Sequence, residues 1–476
     1  MLHDSLRTIA EAQLSATTRV HRSDASELSI LLERSLTPAE VRRTLIRELP
    51  VVRRLPDLGD ADPPIWQLRE RAFKEGTLAT DQRDLEFRRL YPTLDLGVYA
   101  ASHATGIPSA ALIPAVQEHL SLLPAMGFHA FDDGGWLELL DSWRGRISEL
   151  VGDADLSRGD VMAFTSFSDG LSAVLGAGRP GRLLTTEDHF TSAHYVHEQW
   201  ASRTDSEVRV VAAAGDSGVS TERLCEALTP QTAIVSISHG AWRTGRLVDL
   251  VALGEAMMDV CPDAALILDV YQTLGTVPVA VDLLPPRTAV LGGGLKQLRA
   301  GPGTGFGWFS AALLEELRPQ RTGWWAHRAP MDFAPPPLEP AAGAGRFRTG
   351  TPSLLPMLCL WVELEVFATS GGGSLDAAVR RARRATQDQV QTAAMAARAS
   401  GLQVVGGLSA DDRAAFFAVR TADGPRLLSG LHRDGIVIDF RPDVPGGEDG
   451  VLRISANAAS FAYELLFAVE RLVALS

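Results

Sequence analysis

Between Asp160 and Ser310 the chain alternates short apolar runs with helix-length segments. VMAFTS is followed by LSAVLGA, RLLTTE by HYVHEQW, VRVVAAA by ERLCEAL and TAIVSIS by VDLVALGEAMM; ALILDV, TAVLGG and GFGWFS complete the series. Runs this short and apolar read as buried strands, and helices between them imply right-handed crossovers. The expected fold class is therefore α/β, with a mostly parallel seven-stranded sheet covered by helices. In such a sheet, groups at the carboxyl ends of strands meet in one crevice. Asp269 ends one run and Lys296 lies among glycines just past another, so an acid and an amine are expected to face a common site.

The rest of the chain frames this region. SELSILLERSL and TPAEVRRTLIREL carry apolar residues at helical spacing, so residues 1–90 read as a helical N-terminal extension. A large domain is expected over 91–345, its segment 91–155 serving the small domain or a dimer interface. WLELLDSWRGRISELVG reads as an amphipathic core helix with Trp136, Leu140, Trp143 and Ile147 on one face. A smaller C-terminal α/β domain is expected over 346–476: two helices, with Ser374 as N-cap of the second and Gly401 as its stop, then strands in AAFFAVR, GIVIDFR and VLRISA and a closing helix.

Charge and cysteine usage narrow the function. A net charge of −13 over 476 residues argues against a nucleic-acid surface. The three cysteines, Cys225, Cys261 and Cys359, are far apart, so neither a disulfide framework nor a metal site is expected, and a reducing cytoplasm fits. No apolar stretch approaches the roughly 20 residues of a spanning helix, and neither export nor membrane insertion is expected. GPGTGFG does not complete GxGxxG, and no GxxxxGK[ST] occurs.

An amine and a carboxylate facing one crevice suit pyridoxal 5'-phosphate. The amine holds the aldehyde as a Schiff base, and the acid keeps the ring nitrogen protonated. TSFSDGL places Ser166, Phe167 and Ser168 between a strand and its helix, where backbone N–H groups can hold a phosphate or the serines can simply cap. Phe190, just past a strand end, can stack on an aromatic ring or fill core. Arg453, in the apolar VLRISA, requires a carboxylate partner, structural or from substrate.

In order along the chain, DVYQTLGTVP, GGLKQLRAGPG, GWWAH and RFRTGTPSLL, with HFTSAHY, SHGAWRTGRLVDL and GIVIDFRPD before VLRIS, resemble kynureninase and the wider class V aminotransferase group of fold type I enzymes. The resemblance runs from about Tyr99 to the carboxyl terminus. It implies that Lys296 carries the cofactor and Asp269 pairs with the ring nitrogen. It implies that Phe190 stacks on the ring, that Ser166, Phe167, Ser168 and Ser192 lie at the phosphate, and that Trp242 stands near the cofactor in place of a tyrosine. Trp324 and Thr351 would arrive across a homodimer interface, with Thr351 also near substrate, and Arg453 would take an amino acid's α-carboxylate. Four positions depart from the family pattern: Leu295 replaces a phosphate-binding tyrosine, Gln272 a histidine, Ala193 an aspartate, and His103 an asparagine in a substrate-side turn. The implied reaction is hydrolytic Cβ–Cγ cleavage of kynurenine or a related β-acyl alanine. Transamination, decarboxylation or β-elimination on a specialised-metabolite amino acid, or a cofactor-binding pseudoenzyme, are the alternatives.

Overall fold

The computed structural model describes residues 82–476 apart from 131–134 and 407–408, so the two helices read in the first 50 residues lie outside the described residues. Among the described residues thirteen strands form in chain order. They are β1 (Val98–Tyr99), β2 (Gly159–Phe164), β3 (Arg182–Thr186), β4 (Val208–Val211), β5 (Thr232–Ser238), β6 (Ala265–Asp269), β7 (Thr288–Gly293), β8 (Gly305–Ser310), β9 (Val404–Val405), β10 (Phe416–Thr421), β11 (Ile436–Val437), β12 (Asp439–Pro442) and β13 (Gly450–Ser455).

All seven expected runs of the large region form strands of one sheet, in the order β2-β8-β7-β6-β5-β3-β4. The pairs from β7 through β4 are parallel, while β8 runs antiparallel to both β7 and β2. Every residue of β7 and β8 is buried, which explains their continuous apolar text: helices cover both faces, so no alternation is needed. Phe306, Trp308 and Phe309 anchor β8 at 1 % exposure or less. Burying each such side chain contributes about 2 kcal/mol. The order reverses between β3 and β5, β4 lying to one side of β3 and β5 through β8 following on the other, and the carboxyl ends of β6 and β7 open into the crevice beside that reversal.

The C-terminal region carries an antiparallel sheet ordered β12-β13-β10-β9. GIVIDFR divides into β11 and β12 rather than one strand; β11 turns away to pair in parallel with β1. The segment before the large sheet is thereby tied to the C-terminal region. Ser374 caps the helix Leu375–Ala399 by accepting from the Ala377 N–H, and Gly401 follows its end with φ +87°. In the helix Trp136–Leu150, Trp143 and Ile147 are buried as expected, whereas Trp136 and Leu140 are half-buried. No described helix is long and apolar enough to cross a membrane.

Candidate active site

Lys296 is mounted on a turn that tolerates no bulk. The Gly294 N–H donates to the Thr304 carbonyl at 3.2 Å and to its hydroxyl at 3.0 Å. A Cβ on Gly294 would meet Ala300 and Leu360 at 2.7 Å, so the glycine is required by close approach. Lys296 is half-buried as a residue with its amine end turned inward, 5.8 Å from the centre of the Phe190 ring. With its amide oriented to satisfy both neighbours, Gln272 accepts from Nζ at 2.7 Å and donates to the His103 carbonyl at 3.1 Å. Among the described residues no carboxylate stands within ion-pair distance of Nζ. Desolvation, then the nearby Arg453 charge and more weakly Arg441, push the amine down to about 8 against the opposing pull of Asp269 and Asp439.

Asp269 ends β6 beside Leu291 of β7 and is 4 % exposed. Its Oδ1 accepts from the Tyr271 N–H at 2.8 Å. Its Oδ2 faces His189 Nε2 at 3.5 Å, too far for a strong hydrogen bond, and that buried nitrogen has no hydrogen-bond partner among the described residues. The other ring nitrogen, Nδ1, meets the Thr185 hydroxyl at 3.3 Å. A buried carboxylate oxygen and an orphaned imidazole nitrogen are costly alone, and a heterocyclic N–H delivered to Oδ2 satisfies the former. The residues present thus fit the ring end of pyridoxal phosphate.

The other end is built at the helix Phe167–Ala177. Ser166 is its N-cap, its hydroxyl oxygen accepting from the Asp169 N–H at 3.2 Å. The capping role and a phosphate role are compatible, because the hydroxyl proton is still free to donate. The Phe167 ring packs at 5.8 Å on His189 and edge-on at 6.0 Å against Tyr271, and Ser168 follows, half-buried, on the first turn. Phe190 caps the start of helix Thr191–Thr204 and, at 43 % exposure, stands open rather than in core. Ser192 is half-buried on the first turn of that helix, and Ala193 is fully buried behind it.

The facing wall comes from the C-terminal region. Antiparallel pairing sets Asp439 of β12 opposite Arg453 of β13. Arg453, 2 % exposed, donates from Nε to Asp439 at 2.8 Å, donates through a second nitrogen to the same carboxylate, and donates to the Trp242 carbonyl. The carboxylate partner that its sequence context demands is therefore supplied within the chain. His103 Nε2 meets Asp439 at 2.8 Å, and its ring stacks on Phe416 at 4.9 Å. Burial, reinforced by Arg453, pushes the imidazole down to about 3, so it is neutral. Arg441 adds a third contact to Asp439 at 2.8 Å, with its buried Nε unpartnered among the described residues. The Trp242 ring bridges Arg453, at 5.7 Å, and Phe190, at 5.7 Å.

Trp324 and Thr351 are not joined to Lys296 or Asp269 by any hydrogen bond among the described residues. Trp324 packs on Trp325 and Phe333. Thr351 lines a cavity of about 970 Å³ with Asp169, Arg321 and Trp325, whose wall includes neither Lys296 nor Asp269. Sequence reasoning passed over His189, Tyr271, Asp439 and Arg441. The available signal was proximity alone: each lies within two residues of a residue that was singled out or, for Asp439 and Arg441, in the motif GIVIDFRPD.

The family model for class-V aminotransferases matches residues 159–423, which carry the whole seven-stranded sheet. Kynureninase from Burkholderia pseudomallei is 26 % identical over 326 residues, covering 66 % of this chain and 74 % of its own. Kynureninase from Pseudomonas fluorescens is 26 % identical over 324 residues with the same coverage. Among solved structures, the cystine C-S lyase C-DES in complex with cysteine persulfide superposes with TM-score 0.70 at 18 % identity, covering 81 % of this chain and 99 % of its own. An apo cysteine desulfurase from Thermococcus onnurineus NA1 does so with TM-score 0.69 at 14 % identity, covering 81 % and 96 %. The chain belongs to the class-V aminotransferase family, as a kynureninase-like, pyridoxal phosphate-dependent enzyme of fold type I.

Proposed function

We propose that the protein acts on an amino acid and cleaves it hydrolytically between Cβ and Cγ, with kynurenine or a related β-acyl alanine as substrate. The observation that carries this reading is the enclosed Lys296 amine, held down to about 8 and placed at the same crevice as the buried Asp269. When bound, pyridoxal phosphate supplies an electron sink for charge developing at the substrate Cα. Lys296 would hold it, Asp269 would take the ring N–H, Phe190 would cover a ring face, and the Ser166–Ser168 turn with Ser192 would receive the phosphate.

The chain's own side chains then divide the work. Lys296 takes and returns a proton at Cα; an amine near 8 is close enough to neutrality for both directions. Gln272 aims that amine by accepting its N–H. Arg453, Arg441 and their shared Asp439 form the cationic wall that receives the α-carboxylate, with neutral His103 fixing Asp439 from behind. Trp242 and Phe190 wall the pocket on the solvent side and exclude water from Cα. Trp324 and Thr351 come from a second copy of the chain, which makes the working unit a homodimer, located in the cytoplasm.

Desulfuration is disfavoured by the cysteines themselves. Burial pushes the thiols of Cys225, Cys261 and Cys359 up, the opposite of what a nucleophilic thiolate needs. The test is incubation of the cofactor-loaded protein with kynurenine and 3-hydroxykynurenine, followed by a wider amino-acid screen read by mass spectrometry. Alanine together with the aromatic acid supports hydrolysis. A keto acid without free ammonia shows transamination instead, a keto acid with ammonia shows β-elimination, loss of carbon dioxide shows decarboxylation, and loaded protein that converts no amino acid is a pseudoenzyme.

A further inference from the structure

Tyr271 is a phenol with a place made for it. It follows Asp269 by two residues and reaches over the end of the neighbouring strand β7, where its oxygen lies 2.2 Å from the position a Cβ on Gly293 would occupy. Only glycine at 293 admits the ring. The Tyr271 ring meets that of Phe167, first residue of the helix Phe167–Ala177, edge-on at 6.0 Å, which sets the phenol beside the start of that helix. Burial, with the Asp269 charge, pushes the phenol well above its ordinary range, so it keeps its proton. A protonated phenol has a hydrogen to give, and among the described residues no acceptor receives it.

That hydrogen stands at the start of an eleven-residue helix, where unpaired backbone N–H groups favour an anion. The first-turn carboxylate there, Asp169, is tied up by the Thr165 N–H and hydroxyl and by Arg321 at 3.1 Å, which lowers its opposition to a second negative charge. The residue preceding Lys296 is Leu295, which offers no donor. The geometry points to Tyr271 as a phosphate-binding residue: its hydroxyl donates to the phosphate ester of the cofactor from the floor of the site, through the gap left by Gly293.

This rests on pyridoxal phosphate being the cofactor, and the experiment separates the two claims. Apoenzyme of the wild type and of Tyr271→Phe is titrated with pyridoxal phosphate and, separately, with pyridoxal, which lacks the phosphate. The expected result is a roughly tenfold weaker affinity of the variant for pyridoxal phosphate and an unchanged affinity for pyridoxal, in line with the loss of one hydrogen bond to a charged group. Inorganic phosphate should compete with pyridoxal phosphate for the wild-type apoenzyme and compete less well for the variant. Gly293→Ala, which displaces the phenol without removing it, should reproduce the selective loss. Equal losses for both aldehydes, or no loss for either, overturn the assignment and leave Tyr271 a packing residue. A wild type that binds neither aldehyde overturns the cofactor reading, and this assignment with it.

Discussion

Two cations are enclosed in the crevice, and they are treated in opposite ways. Arg453 is paired within the chain: Asp439 takes two of its nitrogens and the Trp242 carbonyl the third, which leaves two of its five N–H donors to give. Lys296, under the same low-dielectric cover, has among the described residues only the amide oxygen of Gln272 as acceptor, while the Asp269 carboxylate acts from a distance. A guanidinium paired in this way keeps its charge and its place while presenting its remaining N–H groups. The lysine amine is held near its titration point and can trade protons, so the difference separates a group that holds charge in place from the one that reacts.

The comparison breaks most visibly if Lys296 is not the reactive member. Lys296→Ala should lower kcat by at least about 10³-fold, in line with loss of a positioned proton-transfer group, and it should abolish borohydride fixation of the cofactor. A variant that retains both removes the amine from the centre of the chemistry. On the scaffold side, Asp439→Asn strands the Arg453 charge and should destabilise the fold by about 3 kcal/mol, read by denaturant melting. Because the Asp439 carboxyl is depressed far below its usual range, its contribution is present above the unfolded value near 4 and is lost only as pH falls through the folded one. Wild-type stability from this pair should therefore be flat between pH 5 and 8, and a slope traced to Asp439 in that window would contradict the pairing.

The amine side carries the opposite sign. Its folded value near 8 lies below the unfolded 10.5, so the unfolded chain binds more protons between them and apoenzyme stability from this group rises with pH across that window. Cofactor uptake by apoenzyme needs the neutral amine and should climb about tenfold per unit up to pH 8, then level off. An inflection near 10 would mean an ordinary solvated lysine. The smallest effect sharpens rather than breaks the contrast. Gln272→Leu removes the one acceptor that favours the ammonium, and should move that inflection down by about half a unit.

Much of this was legible in the text of the chain. The strands of the large sheet read directly because burial on both faces makes them uninterrupted apolar runs, and Asp269 and Lys296 follow from where β6 and β7 end. Arg453 announced the need for a carboxylate but not its identity. The antiparallel register that sets Asp439 opposite it depends on a strand break after Val437 that no composition signal marks. Gly293 and Tyr271 each look ordinary alone; only the crossing of one chain segment over another shows that the missing side chain makes room for the phenol.

Contacts already described join end to end: Lys296 to the Gln272 amide, that amide to the His103 carbonyl, the His103 ring to Asp439, and Asp439 through Arg453 to the Trp242 carbonyl. The reactive nitrogen is in this way a gauge of how the C-terminal unit sits on the large sheet. Lengthening any one link would alter the basicity of a single atom, so the titration of the lysine is tied to how the strands that carry Asp439 and Arg453 are seated.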